Sequence, residues 1–392
     1  MRRTLIGLGS LAAALLTASS ANAQQTIKVG LIMPYSGQFA DTATQMDNAI
    51  KLYMKQKGDT VAGKKIEVIR RDTGGVAPDV AKRLAQELIV RDHVDILAGF
   101  VLTPNALAAG DVSAEAKKFM VVMNAATSII TTKSPYIVRT SLTTPQLNES
   151  FGSWAYRSGV RKDYSMVSDV GPAHDAEGEF HRAFKDTGGE IIGSVRFPVA
   201  NPDFSAFVQR AKDQNPEAIY IWVPGGVQPA AIGKALAERG IDPKKTRILG
   251  QGELTEEEAL KSMGDAGLGI ITAYHYDYNH DSTLNREFVK AYNEASARNP
   301  NIYSIGGYDG MHLIYEALKK TGGKTDADSL IAAAKGMTWE SPRGPIAIDP
   351  ETRDIIQTVY IRRVEKVGGQ LRNVEFDKVE NVKDPVKARM KQ

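Results

Sequence analysis

The sequence predicts an α/β protein of two doubly wound parallel-sheet lobes joined by a three-segment hinge. Compact apolar runs alternate with segments of helical periodicity, the pattern of βα units whose parallel sheet is covered on both faces. The alternation occurs twice, restarting after Thr143-Thr144-Pro145. At 392 residues the chain is too long for one ordinary core. With no flexible linker or low-complexity tract between the halves, the crossings must be short and sheet-like.

In the first series, Ile27–Met33 is an apolar run ended by Pro34. Asp41–Gln56 carries Met46, Ile50, Tyr53 and Met54 at helical spacing. Lys65–Arg70 alternates as a strand, and Pro78–Arg91 reads as a helix whose first residue lacks an N–H where none is needed. A strand over Asp95–Gly99, a helix over Asn105–Lys118 and a strand over Phe119–Met123 follow. In the second series, strands are expected at Ser165–Ser168, Glu190–Arg196, Ala218–Val223 and Arg247–Gly250. Helices at Ala176–Asp186, Phe204–Gln214 and Pro229–Glu238 fall between them. Ser282–Asn299 and Tyr308–Thr321 are amphipathic helices that fit as a covering layer returned to the first lobe. Ile355–Val364, a Gly368-Gly369 turn and Asn373–Phe376 end the chain as strands.

Arg2 and Arg3 precede an apolar stretch over Leu5–Leu16, too short to span a bilayer, and Ala21-Asn22-Ala23 offers the small residues of a cleavage site. Residues 1–23 therefore read as a signal peptide cleaved after Ala23, and the mature chain as exported. The net charge is +3, two units of which belong to Arg2 and Arg3. So even a balance gives no reason to invoke nucleic acid or an anionic membrane surface. With 0 Cys, the fold has no disulfide and no thiolate nucleophile.

No H-E-x-x-H, G-x-S-x-G or G-x-x-x-x-G-K-[ST] is present, and Gly250-Gln251-Gly252 lacks the third glycine of a dinucleotide fingerprint. His275 and His280, with Asp277 and Asp281, sit in a loop where hinge or surface roles outweigh a metal site. Neither a catalytic group nor a cofactor is expected. The informative residues lie where βα units put ligands, beyond the carboxyl ends of strands. Three such loops are rich in hydroxyls and small residues: Met33–Phe39, Gly99–Pro104 and Asn124–Ser128. Helix N-termini and free amides there favour a carboxylate. Thr103 and Thr127 supply hydroxyls, and small Ala125 admits a ligand to the backbone; each hydroxyl alone reads more readily as a helix cap, and it is three such loops on one edge that point to a site.

Taken in order, these pieces resemble the leucine/isoleucine/valine-type periplasmic solute-binding proteins of ABC importers, the type I periplasmic-binding-protein fold. The resemblance spans nearly the whole mature chain, from Ile27–Pro34 and Ser36-Gly37 through Leu97-Ala98-Gly99, Ala125-Ala126-Thr127 and Asn201-Pro202-Asp203-Phe204 to Gly307-Tyr308-Asp309-Gly310 and Gly344-Pro345. It implies that the first lobe holds a ligand's carboxylate and part of its amine through Thr103, Ala125 and Thr127. It also implies a second-lobe acid for a ligand ammonium, which falls on Glu253 in Gln251-Gly252-Glu253, displaced by one residue. An aromatic position of the amino-acid binders becomes Asp175, which serves either the ammonium or the cap of a helix at Ala176. Phe39, Phe100, Tyr274 and Tyr276 give aromatic walls, and similar relatives in soil bacteria are associated with aromatic carboxylates.

The expected lobes are residues 24–141 with 276–340 and residues 142–275 with 341–392, crossing near 139–143, 273–277 and 344–348. The expected function is periplasmic capture of a branched-chain type amino acid or related small carboxylate for an ABC importer permease, by a monomer that closes about a hinge. The alternatives are a binding protein for aromatic carboxylates, or a ligand-sensing receptor or amide-sensor domain.

Overall fold

The computed structural model describes residues 25–200 and 202–390. The expected signal peptide and its cleavage after Ala23 lie outside the described residues. The first series contains β1 (Thr26–Met33), α1 (Ala40–Lys57), β2 (Thr60–Val61), β3 (Lys64–Asp72), α2 (Pro78–Val90), β4 (Ile96–Gly99), α3 (Thr103–Glu115), β5 (Phe119–Val122) and β6 (Ile137–Arg139). These strands make one sheet in the order β2-β3-β1-β4-β5-β6, parallel except for the β2 edge. Val29, Leu31, Ile96, Ala98, Phe119 and Val121 point to one core, and Ile32, Leu97, Met120 and Val122 to another. That alternation is what a strand buried on both faces requires.

The chain then forms α4 (Thr144–Arg157), β7 (Lys162–Ser168), α5 (Gly171–Asp186), β8 (Glu190–Phe197), α6 (Phe204–Asp213), β9 (Ala218–Trp222), α7 (Gln228–Glu238), β10 (Arg247–Gln251), α8 (Glu257–Met263) and β11 (Ile271–Tyr274). After α9 (Thr283–Ser296), α10 (Ile302–Lys320) and α11 (Ala327–Ala334) come β12 (Thr338–Ser341), β13 (Gly344–Ile348), β14 (Ile355–Val367), β15 (Gln370–Val382) and α12 (Pro385–Arg389). The second sheet runs β12-β13-β14-β11-β10-β9-β7-β8, with β15 on β14. Its β7 to β11 part is parallel, and β14 joins β11 antiparallel.

The α9 and α10 helices return to cover α1 of the first sheet. The Tyr53 ring meets Tyr308 edge-on at 5.0 Å, and Tyr292 Oη donates to the Gln45 carbonyl at 3.0 Å. The α10 helix starts at Ile302, six residues before the expected Tyr308. Asn301 caps it by accepting the Tyr303 and Ser304 amides at 3.1 Å. Gly306 and Gly307, which argue against a helix by propensity, are required by approach: a Cβ at Gly306 would fall on the Met123 carbonyl, and one at Gly307 on that of Met46.

Where the chain passes between the sheets, three buried Arg–Asp pairs hold it. Arg139, at the first passage, bonds Asp354 through Nε at 2.9 Å. Arg362 grips the second by donating to the Tyr276 carbonyl at 3.0 Å and the Asp277 carboxylate at 3.1 Å. Arg343, beside the third, pairs with Asp309 at 2.8 Å and donates to the Ser141 carbonyl at 2.9 Å. Each guanidinium is almost wholly buried. Burial of a cation demands such pairing. Among the described residues no helix is long and apolar enough to cross a membrane.

Candidate ligand cleft

The carboxyl ends of β1, β4 and β5 face those of β9, β10 and β11 across a seam. Lobe-to-lobe contacts close it. Gly225, beyond β9, lies so near Tyr303 Oη that a Cβ there would be 2.6 Å away. Asn299 donates to Glu257 at 3.3 Å. The Asp175 carboxylate, on α5, lies close to the Ser128 amide, which pulls its pKa down against burial. A cavity of about 80 Å³ between the lobes is lined by Gln38, Thr42, Gly225, Glu253, Asn301 and Tyr303. A larger cavity, about 810 Å³, lies at the opposite, amino-terminal edge of β10 and β11, beside Arg247 and Ile271. Ligands of doubly wound sheets bind at the carboxyl edge, so the seam is the better site despite its smaller void.

On the first-lobe side, the Ala125–Ser128 loop is shaped by Arg139. Its guanidinium draws in the carbonyls of Ala125 at 3.0 Å, Thr127 at 2.9 Å and Ser128 at 3.2 Å. The Ala126 carbonyl instead accepts the Thr144 amide at the start of α4, at 2.9 Å. With its carbonyls turned inward, the loop leaves the Ala126 and Thr127 amides without a hydrogen bond among the described residues. The Thr127 hydroxyl donates to the Thr103 hydroxyl at 3.2 Å, and Thr103 is the first residue of α3. Two hydroxyls, two free amides and a helix N-terminus converge there, an arrangement suited to an anion.

The Ala125 amide is engaged, donating to the Phe100 carbonyl at 2.9 Å. Phe100 is no cleft wall. It adopts a left-handed φ of 63°, and its ring is fully buried among Ala106, Val122 and Ile130 under the sheet. Phe39 is buried at the seam, at the start of α1, one residue after Gln38. Tyr276 is displaced from the cleft because the chain leaving β11 passes to the covering helices. Its ring packs with Leu52, Phe288 and Ile305, and its hydroxyl donates to Asn285 at 2.9 Å.

On the second-lobe side, polar side chains are linked in series. Tyr220 Oη donates to Asn148 Oδ1 at 2.5 Å, Asn148 Nδ2 to Gln251 Oε1 at 2.9 Å, and Gln251 Nε2 to Glu253 Oε2 at 2.9 Å. Tyr274 Oη takes the other Glu253 oxygen at 2.9 Å. Burial pushes the Glu253 carboxyl above its ordinary range against these donors. Asp175 does not cap a helix at Ala176: α5 begins at Gly171 with Pro172 in its first turn, placing Asp175 within its early turns. Burial raises its pKa too, and its Oδ2 is buried without a partner.

Sequence reasoning missed Asn148, Trp222 and Tyr303. The strand-end rule used on the first lobe finds Trp222 when applied to β9. Tyr303 and Asn148 lie near the starts of helices whose capping signals, Asn301 for the one and Thr143 with Gln146 for the other, went unused.

Residues 26–370 match the family model described as periplasmic binding protein. The Leu/Ile/Val-binding protein homolog 6 of Brucella melitensis biotype 1 is 43% identical over 384 residues, 97% of this chain and 98% of that protein. A solved ABC-transporter solute-binding protein of Rhodopseudomonas palustris BisB5, in complex with 3,4-dihydroxybenzoic acid, is 54% identical with a TM-score of 0.89 over 92% of this chain and 99% of its own. Another from R. palustris HaA2, in complex with p-hydroxybenzoic acid, is 41% identical with a TM-score of 0.90 over 93% and 100%.

Proposed function

The chain belongs to the periplasmic binding protein family, and from that membership we propose that it delivers an aromatic carboxylate of the benzoate type to an ABC importer permease. Proteins of this kind bind and release; they are not enzymes. The family works in the periplasm, and we assign the export signal to residues 1–23, with cleavage after Ala23 and a monomeric mature protein. Residues 24–141 with 276–340 form one lobe and residues 142–275 with 341–392 the other.

The ligand carboxylate enters the open cleft and meets Thr103, Thr127 and the amides of the Ala125–Ser128 loop. The second lobe then swings over the remainder of the ligand, bringing Asp175 onto the Ser128 amide. Phe39 and Tyr303 border the ring. The reading rests on Glu253: burial pushes its carboxyl up, and Tyr274 and Gln251 already bond one site on each oxygen, so the second-lobe acid is a poor partner for an ammonium. The benzoate-type ligands of the R. palustris proteins support it. A second reading, capture of a branched-chain amino acid, is favoured by the free Asp175 Oδ2 and by the Brucella relatives' name. Calorimetric titration of residues 24–392 with benzoate, 4-hydroxybenzoate and leucine decides between them. Binding of the acids without leucine upholds the proposal; binding of leucine alone sinks it.

A further inference from the structure

Two polar side chains of the second lobe are buried with nothing to bond. Trp222 Nε1 has no acceptor, and neither ring nitrogen of His275 has any partner. A buried indole N–H or imidazole ordinarily finds a partner, because leaving it unpaired costs about 1–3 kcal/mol. The two belong to one place. In the register of β9 with β10, Ile221 pairs with Gly250, so Trp222 stands beside Gln251. In that of β10 with β11, Gln251 pairs with Ala273. Partners in a parallel sheet project to the same face. That face is the one toward α4 and α5: Tyr220, two residues before Trp222, stacks on Phe180 at 4.1 Å and reaches Asn148.

His275, two residues beyond Ala273, continues the same face past the strand end. The residue between them, Tyr274, points to the other face, against Gly252 and Glu253. Trp222, Gln251 and His275 thus form a row at the carboxyl edge of three neighbouring strands. Across the seam is the anion-suited loop. It touches the same two helices, through Thr144 of α4 and Asp175 of α5.

We propose that Trp222 and His275 form the distal end of the ligand pocket and read a hydroxyl group on the ligand's ring, so that the preferred ligand is a hydroxyaryl carboxylate. This rests on the aromatic-carboxylate reading above. The chemistry of the pair fits that group. An indole N–H only donates, and a neutral imidazole donates at one nitrogen and accepts at the other. A hydroxyl accepts from one and donates to the other at once. An ammonium finds no acceptor at Trp222, and a bare ring edge leaves all three atoms unpaired. The imidazole stays neutral because burial, with the Arg343 and Arg362 cations nearby, pushes its pKa well down. Gln251 is held for another role, since its amide oxygen accepts from Asn148 and its amide nitrogen donates to Glu253.

The test is the ratio of dissociation constants for benzoate and 4-hydroxybenzoate, by calorimetry on residues 24–392, in the native sequence, His275→Phe and Trp222→Phe. The native chain should favour 4-hydroxybenzoate by about tenfold or more, the worth of one well-made hydrogen bond. Each variant should bring the ratio to about threefold or less. A native ratio near one refutes the proposal while leaving the aromatic-carboxylate reading intact. So does a ratio that survives in both variants, or one that collapses only in Asp175→Asn. Binding of leucine alone overturns both. Circular dichroism identifies a variant that fails to fold, in which case the native ratio and the other variant decide.

Discussion

Replacing Arg139 by Met tests whether one buried cation both holds the hinge and shapes the anion loop. The change strips Asp354 of its guanidinium partner, leaving only the Lys387 ammonium. It also releases three carbonyls held at 2.9–3.2 Å. Breaking a buried pair by removing one member costs about 3–5 kcal/mol. The carbonyls turn toward water at a smaller cost each, so about 4 kcal/mol is expected in all. At about 2 °C per kcal/mol for a chain of this size, the melting temperature should fall by about 8 °C. Arg139→Lys separates the two roles. Its ammonium can still meet Asp354 but cannot span three carbonyls, so roughly half the stability should return while affinity for 4-hydroxybenzoate stays reduced. The assay is thermal unfolding by circular dichroism, paired with calorimetric titration. A Met variant melting within about 2 °C of the native chain, or a Lys variant with native affinity, would refute the reasoning.

Gly306→Ala should destabilise by about 1–3 kcal/mol, because the new methyl meets the Met123 carbonyl rather than a side chain that can move; urea unfolding measures it. Asp175→Ala removes the carboxylate beside the Ser128 amide and should weaken ligand binding by about three- to tenfold with little change in melting temperature, a difference read by calorimetry and solution scattering. Burial pushes the His181 imidazole down to about 4 from 6.5, with Glu177 pulling the other way. A lowered histidine stabilises fully above its unfolded pKa and loses that contribution as pH falls from about 6.5 to 4, up to about 3 kcal/mol. His181→Gln should flatten stability across that window, and unfolding curves at pH 7 and 4.5 would reveal an unchanged slope if the idea is wrong.

Both sheets were legible in the sequence because their central strands are buried on both faces and stand out as apolar runs: Ile27–Met33 and Ala218–Trp222 are examples. The α4 helix escaped notice although Leu147, Phe151, Trp154 and Ala155 recur at helical spacing, because the polar Gln146, Asn148 and Ser150 are buried among them, two of them bonded to the hinge and the cleft. The short strand β11 lacked a helix on its far side to mark it, since the chain there leaves for the other lobe. In the site, hydroxyls and small residues at strand ends pointed to Thr103 and Thr127. Which aromatic faces the ligand depends on one-residue alternation at a strand's last position. That parity separates Tyr274 and Tyr276 from His275, and composition does not carry it.

The covering of the first sheet by α9 and α10 has a consequence for how the chain is made. About 160 residues separate β6 from α10, so during synthesis the first lobe's apolar face stays uncovered for roughly ten to thirty seconds at ordinary elongation rates. Neither lobe is a continuous stretch that can finish folding behind a ribosome. A chain that cannot close its own core until its last quarter emerges stays extensible while it is made, the state that the proposed export requires.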